Sequence, residues 1–354
     1  MRKILYLIIL YMPLLLLTAC DVHEWPEAPE RVSFHLRLNY ETEITEWHHS
    51  YDGSDVIEQG YGRTYDNHLA SGKIRYIIRA YPISKKQRAA ENHIEEFVFT
   101  RNISDGYDYG VTLDLPAGSY SIMVWSDLAG SEGDSYFHDA SNFAEIRLLE
   151  GHVGNTDYRD AFRGTGGIEL ISDIIEHDPD TLDIAMQRPL AKYEFITNDV
   201  LEFIDNEITR IASKTNGNKS ESADDIPTKA INIEDYKVVF YYVGFMPDAY
   251  SMYTDKPVDS STEVMFESTL KKITESEATI GFDYVFVNGK ESALSAQIAI
   301  LDNEGTQLSL TEPIEVPLKR SHHTIIKGRL LMSDASGGVT INPDFDGDHN
   351  LIFP

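Results

Sequence analysis

The chain has 354 residues, 42% of them apolar and 11% aromatic, enough to bury sizeable cores and too many for a disordered chain. Its 30 Lys and Arg against 58 Asp and Glu give a net charge of −28, which argues against nucleic acid and against electrostatic docking on anionic lipid. A single cysteine leaves no intramolecular disulfide and no Cys-rich zinc site.

Arg2 and Lys3 precede an almost unbroken apolar run, residues 4–19. A spanning helix needs about twenty residues, and Pro13 interrupts this run. Residues 1–19 therefore read as a secretory signal peptide. The run closes on Leu17-Thr18-Ala19-Cys20, a lipobox. There the Cys20 thiolate takes a diacylglyceryl group, and cleavage frees its amine for a further chain such as palmitate. Each buried CH₂ adds about 0.8 kcal/mol, so several chains hold a protein at a membrane. An ordinary signal peptide ending by chance at a cysteine is the plainer alternative, but no other cysteine exists. Loss of Arg2 and Lys3 takes the side-chain charge from −28 to −30.

Residues 20–31, with Pro26 and Pro29, read as a lipidated tether. Val32 to Tyr40 places apolar residues at every even position, which predicts a half-buried strand. Residues 41–72 are polar, with Gly53, Gly60, Gly62 and Gly72, and read as a long loop or irregular insertion. Strands are expected at 74–81, stopped by Pro82, and at 94–100. Residues 111–115 and 120–125 flank Pro116-Ala117-Gly118-Ser119, which reads as a hairpin. Residues 143–148, 167–171 and 181–186 add further strands. The pattern is mainly β, and residues 32–187 read as an antiparallel β-sandwich.

A boundary is expected at Arg188-Pro189, with a second β-sandwich over 188–354. A strand at 191–197 leads to Leu201, Ile204, Ile208 and Ile211 at helical spacing. That predicts one helix, 199–212, with Asn198 or Asp199 as cap and Glu202 completing a capping box. Residues 213–230 are polar and read as a mobile loop. Strands resume at 236–243, 264–273, 278–287 and 294–301, with turns at Asn288-Gly289 and Asp302-Asn303-Glu304-Gly305, and end at 324–331.

The candidate sites are few. Asp344, Asp346 and Asp348 alternate around Gly347 like the opening of a calcium loop. The bidentate Glu that such a loop wants at position twelve falls past Pro354, so a polar turn is the plainer reading. His48-His49 and His322-His323 are adjacent pairs, and neighbours on a strand point to opposite faces; neither pair chelates alone. Nucleophile elbows and Gly-rich phosphate loops are absent from the sequence. Trp125, Tyr241, Tyr242, Phe245, Tyr250 and Tyr253 offer either a sugar-stacking platform or, as alternating strand residues, core. No cofactor is implied.

Four segments together carry a resemblance. Leu115-Pro-Ala-Gly118-Ser-Tyr120 with Val124-Trp125-Ser126-Asp127, Asp160-Ala161-Phe162-Arg-Gly164, Arg188-Pro189-Leu-Ala191-Lys192, and residues 341–348 follow in order behind the lipobox. The chain from about residue 21 to 354 resembles the FimB/Mfa-like fimbrillin-type lipoproteins of Bacteroidales, in a subgroup with a domain of unknown function. That resemblance implies two transthyretin-like antiparallel β-sandwich domains, with one helix in the second. It also implies an outer membrane, cell-surface location held by lipid, and a role as anchor or accessory subunit of type V pili. Polymerising members lose their first strand to an arginine-specific protease, and a strand from the next subunit fills the groove. Arg63, in the polar stretch after the first strand, is the position such a protease would reach, and a merely exposed arginine is the plainer reading. The function expected is therefore non-enzymatic fimbrial assembly or adhesion, with fimbrial subunits as partners by strand addition. A glycan-binding surface lipoprotein is the alternative, and a hydrolase with an unrecognised carboxylate pair the third.

Overall fold

The computed structural model describes residues 30–83, 93–130, 135–172, 179–215 and 231–333. The fold is mainly β, with several sheets and, among the described residues, one α-helix. Two of the sheets enclose the first core. The smaller has the order β11 (Asp180–Met186), β1 (Arg31–Tyr40), β6 (Tyr109–Pro116). The larger has the order β10 (Ala161–Leu170), β7 (Gly118–Ala129), β4 (Lys73–Pro82), β5 (Glu95–Asn102). Alternation aims Phe34, Leu36 and Leu38 of β1 at Ile74, Tyr76 and Ile78 of β4 and at Ile122 and Val124 of β7.

The two sheets close against each other at β10 and β11 because β10 carries glycine. A Cβ on Gly164 would meet Ile184 Cγ2 at 2.4 Å and Met186 Sδ at 2.7 Å. The turn expected to join a hairpin does something else. β6 pairs with β1, while β7 pairs with β4 and β10. The Pro116-Ala117-Gly118 corner thus carries the chain from one sheet to the facing one. It is held by the Ala117 amide donating to Glu30 O at 2.9 Å and by Tyr120 Oη donating to Pro116 O at 2.8 Å.

The second core lies between a six-stranded and a five-stranded sheet. The first has the order β17 (Lys271–Lys272), β18 (Ala278–Phe286), β12 (Leu190–Thr197), β22 (His322–Gly328), β2 (Glu43–Tyr51), β3 (Val56–Asp66). The second has β16 (Met265–Thr269), β13 (Lys237–Val243), β19 (Glu291–Leu301) and β20 (Gln307–Leu310), with β21 (Ile314–Lys319) also on β19. β2 and β3 occupy the stretch expected to be a loop. The turn at Asp302 does join a hairpin, β19 to β20, and Asp302 Oδ1 accepts from the amides of Glu304 and Thr306. The Asn288-Gly289 turn instead crosses between the two sheets.

The helix, α1 (Val200–Thr215), packs Val200 and Phe203 into the second core, with Ile204 against it. Its buried stripe is rotated from the expected one: Leu201 is 53% exposed. The expected capping box does not form. The Asp199 carboxylate takes the Thr197 hydroxyl and the amides of Leu331 and Met332, and Glu202 pairs with Arg329 at 2.7 Å. Of the expected mobile loop 213–230, residues 216–230 lie outside the described residues.

The two halves are stitched together across residue 188. β2 and β3 come from the first half but extend the second half's sheet, β2 lying parallel to β22. In return β14 (Met246–Ser251) and β15 (Lys256–Ser261) join β9 (Ile146–Leu148) and β8 (His138–Asp139) in a four-stranded sheet. A third apolar cluster, with Trp125, Phe143, Tyr250 and Phe286, fills the space between.

Candidate functional site

Two features stand out: the seat of the first strand and the polar junction between the halves. β1 lies between two strands. It runs parallel to β11, with Phe34 opposite Asp180 and Tyr40 opposite Met186, and antiparallel to β6, with Arg31 opposite Pro116 and Leu38 opposite Tyr109. Phe34, Leu36 and Leu38 are buried, while the odd face is wet and charged. There Arg37 pairs with Asp183 at 2.8 Å. Withdrawing β1 would leave two open sheet edges flanking three apolar pockets at alternate positions, which is the chemistry that accepts an extended strand.

Just past β1 the junction begins. Asp160 and Arg188 form a fully buried ion pair, with Nε at 2.8 and 3.1 Å from the two carboxylate oxygens. Arg188 Nη1 also donates to the carbonyls of Glu41 and Glu43, at 3.1 and 3.0 Å, where β1 hands over to β2. Its guanidinium lies 4.6 Å from the centroid of the Phe162 ring. Lys192 donates to Asp157 at 2.8 Å, and Tyr284 Oη donates to the same oxygen at 2.7 Å. The Asp-Ala-Phe-x-Gly and Arg-Pro-x-Ala-Lys segments are therefore partners of each other.

A second buried carboxylate, Asp283, receives Arg159 at 2.8 Å, His152 at 2.6 Å and the Tyr242 hydroxyl. Burial pushes this carboxyl up, and the Arg159 and His152 charges more than reverse that, holding it below the usual range. On the other side of the sheet His323 Nε2 lies 3.0 Å from Glu194, and its Nδ1 lies 3.0 Å from Tyr65 Oη. Burial holds the His323 imidazole below its ordinary value. These polar groups pair chiefly with one another, although His152 and Arg159 also border a surface cavity beside Tyr136 and Leu149; their chemistry is cohesion between elements.

The sites named from the sequence fall as follows. Cys20, Asp344, Asp346 and Asp348 lie outside the described residues. Arg63 is in β3, not in a loop; its side chain is 79% exposed and its Nε donates to Glu46 at 3.0 Å. Trp125, Tyr242 and Tyr250 are core residues, so they form no sugar-stacking platform with the exposed Phe245 and Tyr253. Tyr253 instead donates from its hydroxyl to Tyr81 at 3.0 Å. The two histidine pairs sit on neighbouring strands, β2 and β22, but His48 and His323 are taken by Glu46 and Glu194. Among the described residues no group of three or more His, Cys, Asp or Glu is placed to hold a metal ion, and no helix is long and apolar enough to cross a membrane.

One cluster escaped the sequence reading. Trp47, Tyr61 and His322 meet on three adjacent strands. The signal was present in Trp47, His49 and Tyr51, aromatic residues two apart along the chain.

No curated protein matches the chain. Among solved structures it is similar to the fimbrial anchor protein Mfa2 from Porphyromonas gingivalis, at 10% identity and a TM-score of 0.37, covering 79% of this chain and 82% of that one. It is also similar to a fimbrial assembly protein from Parabacteroides distasonis, at 12% identity and a TM-score of 0.34, covering 85% and 92%. A third is a candidate polysaccharide-binding protein of Bacteroides thetaiotaomicron, at 10% identity and a TM-score of 0.39, covering 78% and 80%. These likenesses are distant. The match to a family model is far more extensive, spanning residues 29–354. The chain belongs to DUF6562, a family of unknown function.

Proposed function

We propose that this protein is a non-enzymatic, lipid-anchored outer-membrane lipoprotein of the FimB/Mfa-like kind, acting at the cell surface as an anchor or accessory subunit in fimbrial assembly. The observation that carries the reading is the seat of β1. The first strand of the fold lies between two others, pairs along its length with both, and supplies three alternating core residues. Such a strand is the replaceable kind. Its departure would uncover backbone donors and acceptors on β6 and β11 together with an apolar slot. A strand from a second subunit would satisfy both edges at once, antiparallel to β6 and parallel to β11.

The lipobox at Cys20 supplies the attachment. An anchor keeps both its lipid and β1; a stalk subunit is cut, and Arg63 is the residue assigned to that cut. Because Arg63 sits in β3, cleavage there would put β1 and β2 together on one N-terminal fragment, still paired to β6, β11 and β22.

The experiment is a pull-down from cells of origin, with palmitate labelling. The intact protein is expected to carry label and to co-purify with fimbrial subunits, and Cys20→Ala to lose the label and leave the membrane. N-terminal sequencing of the surface form separates anchor from stalk: a start at acylated Cys20 means anchor, a start after Arg63 means stalk. A labelled surface protein that never co-purifies with another subunit would defeat the assembly reading.

A further inference from the structure

Three rings meet on one face of the six-stranded sheet, outside the buried apolar clusters, with Trp47 half-buried beside the buried His49. Trp47 of β2 stands opposite Tyr61 of β3. Their ring centroids are 6.1 Å apart and the planes differ by 15°. His322, at the start of β22, lies 6.4 Å from Trp47 and 5.8 Å from Tyr61. Farther along the same face Tyr51 and Val56 enter the second core, whereas Tyr61 is 60% exposed. The facing sheet reaches this region through the end of β21, where Pro317 O accepts from the Thr324 hydroxyl at 2.7 Å and Lys319 donates to Tyr61 Oη at 3.3 Å. Glu58 accepts from Trp47 Nε1 at 3.2 Å, and Glu291 pairs with Lys319 at 3.0 Å.

We propose that Trp47, Tyr61 and His322 form a binding platform for a neutral hexopyranose of a glycan chain. Near-parallel aromatic planes present flat apolar faces, and a pyranose ring presents a flat face of axial C–H groups to match. Around the rings stand carboxylates and one ammonium, the few placed polar groups that fix a ligand's orientation. Sugar hydroxyls donate to Glu58 and Glu291 and accept from Lys319.

The rim also selects against other ligands. A proline-rich segment can stack on such rings, but proline lacks an N–H and leaves the carboxylates without donors. Uronic and sulfated glycans meet two rim carboxylates on a chain of net charge −28. This platform is distinct from the six aromatic residues singled out in the sequence. It does not rest on the strand-addition reading, since it is tested on the purified protein alone.

The test is isothermal titration of the purified full chain with laminarihexaose, cellohexaose, mannohexaose and chitohexaose, with polygalacturonate and decaproline as contrasts. At least one neutral hexaose is expected to bind. Tyr61→Ala and Trp47→Ala are expected to weaken that binding roughly tenfold or more, while Phe245→Ala, an exposed aromatic elsewhere, leaves it unchanged. Tyr61 is exposed enough that its removal spares the fold, which an unchanged melting temperature verifies. Failure of all four hexaoses to bind, equal binding of polygalacturonate, binding of decaproline alone, or indifference of hexaose binding to Tyr61→Ala would each overturn the proposal.

Discussion

Arg188 Nε lies 2.8 Å from a carboxylate oxygen of Asp160, with each side chain 1% exposed, and the same guanidinium holds the carbonyls of Glu41 and Glu43. Breaking a buried pair leaves an uncompensated charge, which costs about 3–5 kcal/mol. Arg188→Met is expected to lower the unfolding free energy by that amount in urea denaturation. The double variant Asp160→Leu with Arg188→Met should regain part of the loss, because no charge is then stranded. A single variant as stable as the parent would show that the pair is not what joins the halves.

His138 supplies a pH dependence. It is buried between the sheets, with neither ring nitrogen hydrogen-bonded and Nδ1 3.7 Å from Asp127. Burial first, then the Arg159 and Arg75 charges, push its pKa down from 6.5 to about 3. The unfolded chain therefore takes up a proton that the folded chain refuses. Stability from this group is complete above about pH 6.5 and falls as pH drops toward 3, by about 1.4 kcal/mol per pH unit. His138→Gln is expected to flatten the stability-against-pH slope between about pH 6 and 4 by close to one proton. An unchanged slope would mean that the imidazole titrates in the folded state.

Gly164 is where β10 lets β11 come close. Gly164→Ala puts a methyl 2.4 Å from Ile184 Cγ2 and 2.8 Å from Ala185 O, and a backbone oxygen cannot rotate away. Overpacking of this kind costs about 1–3 kcal/mol, so a lower melting temperature is expected. Gly53→Ala is a poor control, because its φ of +92° strains any side chain. Gly167→Ala serves better, its nearest contact being 3.8 Å away.

A cut after Arg63 should not by itself separate the pieces. β1 is paired on both flanks, and β2 is paired to β22. Protein nicked there is expected to elute as one species in gel filtration and to split only in denaturant. Fragments that part in native buffer would show that the first strand is loosely seated.

Much of this fold was legible in the sequence where one face of a strand meets a core. β1 is the clear case, its even residues apolar and its odd residues polar. β2 and β3 were not, because Glu46, His48 and Tyr65 use their outward face for the polar junction and Tyr61 meets solvent, so the alternation is broken on both sides. Turn chemistry misled for a different reason. Pro116-Ala117-Gly118 bends the chain equally well toward a partner strand or toward the facing sheet, and only long-range pairing decides. Asp160, Arg188 and Lys192 were visible as motif residues, but that they meet one another is a tertiary fact. Asp199 looked like a cap and is instead claimed by the Leu331 and Met332 amides.

The entry of the chain at β1 has a mechanical consequence. A pull on the residues ahead of Arg31, directed along the strand, loads β1 in shear against two neighbours. Its bonds to β11 and β6 then share the force and give way together, rather than unzipping singly. At the far end of β1 the guanidinium of Arg188 clamps the carbonyls of Glu41 and Glu43, and β2 carries the load on into the other half. Tension applied ahead of Arg31 is thus spread over both cores before any one strand must yield.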